Sequence, residues 1–317
     1  MTTSDSRATT DAAGPQAALS GSYGQPPAGF RLPPAMRLGA VRLQVSDLPR
    51  SMDWYTQVLG LLVRAQSAST ADLGVPDHDD PLVILEHRPG TRPVRPGSRL
   101  GLYHVAILLP DRPALGRFVR HLADRGLRAG ASDHLVSEAL YLHDPDGLGI
   151  EVYADRPSAT WQRHGRELLM ASDPLDLAAV VASAEGAVWA GAPAGTTIGH
   201  VHLHVGDLGG ADRFYHHAIG FDRMVWRYPG ALFLAAGGYH HHLGTNTWAG
   251  GAPPAGEHDA RLLAWTMVLP TAADVSALAA SVQGADFGVS WIECPPDGRT
   301  LSLTDPWGTG LQVKSAA

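Results

Sequence analysis

Apolar and polar positions alternate in this chain first with period two and then with period near 3.6, and the sequence of periods recurs. In "LGAVRLQVSDLPRSMDWYTQVLGL" (38–61), Val41, Leu43 and Val45 alternate with Arg42 and Gln44, as a half-buried strand requires. A turn at Asp47 follows. The apolar residues then take helical spacing up to Gly60, a helix stop. "IGHVHLHVGDLGGADRFYHHAIGF" (198–221) repeats the scheme 160 positions later: Gly39 matches Gly199, Asp47-Leu48 matches Asp207-Leu208, Tyr55 matches Tyr215 and Gly60 matches Gly220.

A second pair has the same logic. "GLYHVAILLPDRPALGRFVRHLADRGL" (101–127) and "LLAWTMVLPTAADVSALAASVQGADF" (262–287) each read as apolar strand, Leu-Pro turn and helix, and "HDPDGLGIEVY" returns as "TDPWGTGLQVK" at offset 161. Four strand–helix–strands modules result, near 38–98, 100–155, 198–248 and 261–315. Repetition on this scale means one structural unit used several times. A linker of about 40 residues separates modules 2 and 3 and predicts a short helix around "PLDLAAVVASA".

Composition narrows the classes. Of 317 residues, 44% are hydrophobic, enough for a substantial core, and the net charge of -7 offers no basic face for nucleic acid. No apolar run reaches membrane-spanning length. The first 30 residues are Ser, Thr, Ala, Gly and Pro without an apolar core, so they read as a disordered tail rather than a signal peptide, and a cytoplasmic protein is expected. The single cysteine, Cys294, rules out a disulfide framework and a cysteine zinc cluster and reads as a small buried thiol.

Histidine is the unusual residue. There are 16, with His200, His202 and His204 in "GHVHLHV" and His240, His241 and His242 in "GGYHHHLG". If the first run is a regular strand, its three histidines share a face. The second run should be the last strand of module 3, with His240 and His242 on one face and His241 on the other. Glu151 is the other anomaly. It follows the tight turn Asp144-Pro145-Asp146-Gly147 and sits among Ile150, Val152 and Tyr153. Strand alternation aims it away from Ile150 and Val152, either at an exposed edge or into an interior where a carboxylate needs a partner or a metal.

The chain resembles the vicinal oxygen chelate (glyoxalase, bleomycin resistance, extradiol dioxygenase) superfamily over nearly all of residues 38–315, and in particular its catechol 2,3-dioxygenase-like branch. The narrower likeness rests on the spacing His134, Leu140-Tyr141, Asp144-Pro145-Asp146-Gly147, Glu151, from which only Ser132 departs at a flanking position. The resemblance implies an α+β fold of four βαβββ modules forming two open mixed β-barrels. It implies an extradiol ring-cleaving dioxygenase acting on a catechol-type diol with O2. The metal would be non-haem Fe(II), with Mn(II) suited to the same donors, held by His104, His200 and Glu151. His241 would be the acid/base residue, Tyr141 would hydrogen-bond the substrate, and His134 would lie near the substrate oxygens. Ala40 stands at the matching ligand position of module 1, Ala264 or Trp265 at that of module 4, and Gln312 at that of Glu151. Trp161, Trp226, Phe233 and Trp248 are candidates for an aromatic wall, and for ordinary core. A homo-oligomer is expected.

By position, the chain divides into a disordered tail (1–36), a first domain with modules 1 and 2 (37–156), a linker (157–196) and a second domain with modules 3 and 4 (197–317). The ligand set makes a different demand. His104 and Glu151 belong to module 2 and His200 and His241 to module 3, so a complete site needs these two in one barrel. Otherwise it is incomplete or finished across a subunit interface. The alternatives in function are a glyoxalase-like isomerase, which lacks the His134–Tyr141–Glu151 spacing, or a non-catalytic protein that binds an aromatic ligand.

Overall fold

The computed structural model describes residues 14–76, 78–294 and 298–316. After a short strand β1 (Gln16–Ala17), module 1 is β2 (Arg37–Val45), α1 (Leu48–Gln57), β3 (Leu62–Gln66), β4 (Thr70–Gly74) and β5 (Val83–His87). Module 2 is β6 (Gly101–Leu108), α2 (Arg112–Asp124), β7 (Gly130–Asp133), β8 (Ser137–His143) and β9 (Gly149–Asp155). The linker carries β10 (Gln162–His164), β11 (Glu167–Leu168) and the expected short helix, α3 (Leu177–Ala182). Module 3 is β12 (Thr197–His204), α4 (Leu208–Ala211), β13 (Asp222–Val225), β14 (Ala231–Ala235) and β15 (Leu243–Asn246). Its helix widens to a π-helix over Asp212–Ala218. Module 4 is β16 (Arg261–Leu269), α5 (Ala272–Gly284), β17 (Ser290–Cys294), β18 (Gly298–Thr304) and β19 (Gly310–Ser315). The βαβββ order therefore occurs four times. The turn aspartates are helix caps: the Asp47 and Asp207 side chains accept the N–H of Arg50 and Gly210.

The sixteen module strands form two mixed eight-stranded sheets, in the orders β13-β14-β15-β12-β6-β9-β8-β7 and β17-β18-β19-β16-β2-β5-β4-β3. These sheets cut across the division by position. Module 3 joins module 2 through the antiparallel pair β12–β6, and module 4 joins module 1 through β16–β2. Module 1 is tied to module 2, and module 3 to module 4, by turns and helices instead. Tyr55 on α1 donates to Asp144 of module 2 at 3.1 Å, and Tyr215 donates to Asp305 of module 4 at 2.9 Å. The repeated Tyr and Asp-Pro positions are thus one docking contact used twice. Asp146, fully buried, accepts from the backbone N–H and hydroxyl of Ser46 and from Arg50 at 2.5–2.8 Å. Gly147 completes that turn at φ 85°, where a Cβ would also lie 2.0 Å from the Val94 carbonyl. Glycine alone fits there.

Residues 14–36 are not the loose tail their composition suggested. β1 pairs with β10, Tyr23 donates to the Gly238 carbonyl at 2.6 Å, and Arg31 grips Asp222 through two nitrogens at 2.8 and 2.6 Å. Leu32 and Met36 are buried in the main core. Few apolar residues suffice because partners elsewhere complete the segment's hydrogen bonds. Residues 1–13 and the side chain of Cys294 lie outside the described part of the chain. No helix among the described residues is long and apolar enough to cross a membrane.

Candidate metal centre

β9 explains Glu151. Its residues are buried on both faces: Ile150, Val152 and Ala154 belong to the main core, while Tyr153 packs on the opposite face with Ala106 and Ala139. Alternation puts Glu151 on Tyr153's side. Across the sheet, Glu151 faces Ala106 on β6, and Ala106 faces His200 on β12. His104 lies two residues from Ala106 on the same face of β6. Three adjacent strands therefore bring together two imidazoles and a carboxylate. The small side chain of Ala106 leaves the space between them open.

The donor atoms converge. His104 Nε2 lies 2.9 Å from Glu151 Oε2, His200 Nε2 lies 3.1 Å from the same oxygen, and the two nitrogens are 3.3 Å apart. All three residues are at most 4% exposed. An octahedral face has an edge √2 times the metal–ligand distance. A triangle of this size suits bonds of about 2.2 Å, in the range of first-row metals with nitrogen and oxygen donors. The protonation states agree with that use. Burial pushes the Glu151 carboxyl up, but the His200 and His104 imidazoles outweigh it and hold the group well below its usual range. Burial brings His200 down to about 4 against the pull of Glu151. A carboxylate and a neutral imidazole are the forms that bind a cation. Among the described residues this is the one His/Cys/Asp/Glu cluster with ligand spacing. Nδ1 of His200 has no hydrogen-bond partner. The ring is held by packing against Tyr153 and His241, at centroid distances of 5.0 and 4.0 Å.

The triad opens into a cavity of about 200 Å³ that also receives Tyr141, His134 and His241. His134 Nδ1 donates to the Ala171 carbonyl at 2.6 Å, which leaves Nε2 to accept from the Tyr141 hydroxyl. The linker segment 170–172 thereby forms one wall of the cavity and fixes the His134–Tyr141 pair. Burial and the Glu151 charge hold the Tyr141 phenol well above its usual range, so it remains a donor.

The histidine run departs from the expected strand. Residues 239–242 are a bent, irregular segment between the turn at Gly237–Gly238 and β15, so alternation does not govern them. His241 lines the cavity, His240 reaches Asp155 at 2.8 Å, and His242 lines a separate cavity near β2 and β16. His202 lines the metal-side cavity, with Nε2 2.9 Å from Asn246 Nδ2, while His204 bonds Asn246 Oδ1 through Nδ1. Of the aromatic candidates, Phe233 and Trp248 line the cavity; Trp161 packs on His240, and Trp226 lies elsewhere. Tyr103 and Tyr228 were not among the candidates, yet both line it. The β12–β6 register skips Tyr103, and such a bulge re-aims a side chain that simple alternation would send away. In the other sheet, Gln312 faces Thr266 as Glu151 faces Ala106. Ala264 therefore corresponds to His104 and Ala40 to His200, which leaves that half without nitrogen donors at these positions.

The family model of the Glyoxalase/Bleomycin resistance protein/Dioxygenase superfamily matches residues 37–152. Catechol-2,3-dioxygenase of Bacillus subtilis (strain 168) is 42% identical over 260 residues, covering 81% of this chain and 90% of the relative. Biphenyl-2,3-diol 1,2-dioxygenase 3 of Rhodococcus globerulus is 29% identical over 136 residues, covering 41% of this chain and 72% of that protein. The crystal structure of glyoxalase I from Zea mays shares the fold, with a TM-score of 0.55, 18% identity, and coverage of 89% of this chain and 92% of that one.

Proposed function

Because this chain belongs to the Glyoxalase/Bleomycin resistance protein/Dioxygenase superfamily, we propose that it is an extradiol ring-cleaving dioxygenase that opens a catechol-type diol with O2, using Fe(II) at His104, His200 and Glu151. The observation that carries this reading is the triangle of Nε2, Nε2 and Oε2 facing a cavity with aromatic walls. The same donors suit Mn(II), whereas Zn(II) could be held but supplies no redox step. A cytoplasmic homo-oligomer remains the expected form.

The bound metal would lower the pKa of the catechol hydroxyls and hold diol and O2 as neighbours. The chain's own residues do the rest. Burial, followed by the neighbouring imidazoles, keeps His241 well below its ordinary value, which leaves the ring neutral in the free site; its place in the cavity suits it to take a substrate hydroxyl proton and return it after ring opening. The Tyr141 hydroxyl, whose proton is held by His134, is placed to accept a hydrogen bond from a substrate hydroxyl. Phe233, Tyr103 and Trp248 offer faces and edges for an aromatic ring. The 170–172 segment walls one side of the cavity and would limit the access of bulk water there. A cavity of about 200 Å³ is small for a ligand site, which favours one ring over a biphenyl.

The test is aerobic turnover of catechol by Fe(II)-loaded protein. The expected result is a yellow muconic semialdehyde-type product, with equal consumption of O2 and catechol, and no product with Zn(II). Metal-loaded protein that cleaves neither catechol nor its methyl derivatives would reject this reading in favour of ligand binding alone.

A further inference from the structure

We propose that Asp155 and His240 form a positioning pair that fixes His241 in one tautomer, with its proton on Nδ1 and a bare Nε2 facing the substrate cavity. The inference rests on the dioxygenase reading for its purpose, but its geometry stands apart from the metal. Asp155 lies four residues beyond Glu151 on β9, on the same face. Its Oδ1 is 2.8 Å from His240 Nε2, and His240 Nδ1 is 2.8 Å from His241 Nδ1. His240 is fully buried, with its ring 4.0 Å from that of Tyr239 and 5.4 Å from that of Trp161, so it cannot turn freely. The Tyr239 hydroxyl donates to the same Asp155 oxygen at 3.1 Å and lies 2.7 Å from the Tyr153 hydroxyl.

Donor counting gives the chain one consistent direction. A carboxylate only accepts, so His240 Nε2 carries the proton of the first bond. A neutral imidazole carries one proton, so His240 Nδ1 is bare and must accept. His241 Nδ1 is then the donor, and its own single proton is used there. Nε2 is left with a lone pair. When Nε2 takes a substrate proton, the imidazolium keeps its Nδ1–H on His240, whose Nε2–H still faces Asp155. No proton passes to the carboxylate, which acts by fixing the direction of both hydrogen bonds. A carboxylate orients a catalytic histidine by the same physical logic elsewhere; Asp155 itself is 29% exposed. Here a second histidine extends the reach from β9 to module 3.

The readout is the 15N spectrum of the full chain, histidine-labelled and loaded with diamagnetic Zn(II). The wild type should show an unprotonated, pyridine-type Nε2 at His241. Asp155→Asn can turn an amide N–H towards His240 Nε2, which reverses both bonds and moves the His241 proton to Nε2. In the Fe(II) enzyme, that variant should lose on the order of 100- to 10,000-fold in kcat with catechol, while KM changes little. Tyr239→Phe removes the other hydrogen bond to Asp155 and should keep the wild-type tautomer. A protonated His241 Nε2 in the wild type would overturn the proposal, and so would an Asp155→Asn protein with unchanged tautomer and kcat. The wild-type spectrum decides even if a variant fails to fold. If the spectrum is as expected but catechol is not cleaved, the dioxygenase reading fails and the positioning pair does not.

Discussion

His242 provides a direct test of how the buried histidines govern stability. Burial, with smaller contributions from His240 and His200, brings its imidazole down to about 3. Its Nδ1 accepts the Ala236 N–H at 3.3 Å, which requires the neutral ring. The unfolded chain binds a proton at this residue near pH 6.5 and the folded one does so only near 3. Stability tied to the neutral form is therefore complete above pH 6.5 and is lost as pH falls toward 3. The slope is about 1.4 kcal/mol per pH unit. Between pH 7.5 and 5.0 this one residue accounts for about 2 kcal/mol. His242→Asn keeps an acceptor near Nδ1 and removes the titration. Urea unfolding of the metal-free wild type and variant at both pH values isolates the term together with its coupling to His240 and His200, because the remaining histidines cancel in the difference. The variant should lose about 2 kcal/mol less than the wild type on acidification. Parallel losses within about 0.5 kcal/mol would show that His242 already titrates normally in the fold, and the reasoning would fail.

Other outcomes follow from the same contacts. Gly199→Ala would place a Cβ 1.8 Å from the Tyr153 hydroxyl, behind the triad, and should cost about 3 kcal/mol or more in thermal or urea unfolding. Asp146→Ala leaves Arg50 and the Ser46 N–H without their acceptor and should cost about 2–4 kcal/mol by urea unfolding, with the metal site intact. Tyr141→Phe should lower kcat/KM for catechol by about 10- to 100-fold without changing bound metal. Stripping the metal with a chelator should lower Tm, because a cation present at 100 times its Kd contributes about 2.7 kcal/mol.

Much of this architecture was legible because it is repeated. The offset of 160 residues exposed the modules, and the matched Tyr55/Tyr215 pair turned out to be the contact that docks module 1 on module 2 and module 3 on module 4. Glu151 stood out because strand period and polarity disagreed there, and β9 buries it beside two imidazoles. Sheet pairing could not be read from order along the chain, since both groupings preserve every local pattern. Only the need to unite His104, Glu151 and His200 favoured the one found. The histidine run misled in a different way. Five apolar or aromatic-like positions in a row suggest a strand, but Gly237 and Gly238, both at positive φ, make a turn there, and tertiary contacts decide which imidazole faces which cavity. Tyr103 was hidden by a bulge, which leaves no trace in the period.

The most direct measurement is metal stoichiometry after anaerobic reconstitution with Fe(II), comparing the wild type with His200→Ala and with Gln312→Ala in the other half. About one iron per chain is expected in the wild type and in Gln312→Ala, and little in His200→Ala. Iron retained by His200→Ala at the wild-type level, or lost on changing Gln312, would place the metal outside the triangle of His104, Glu151 and His200.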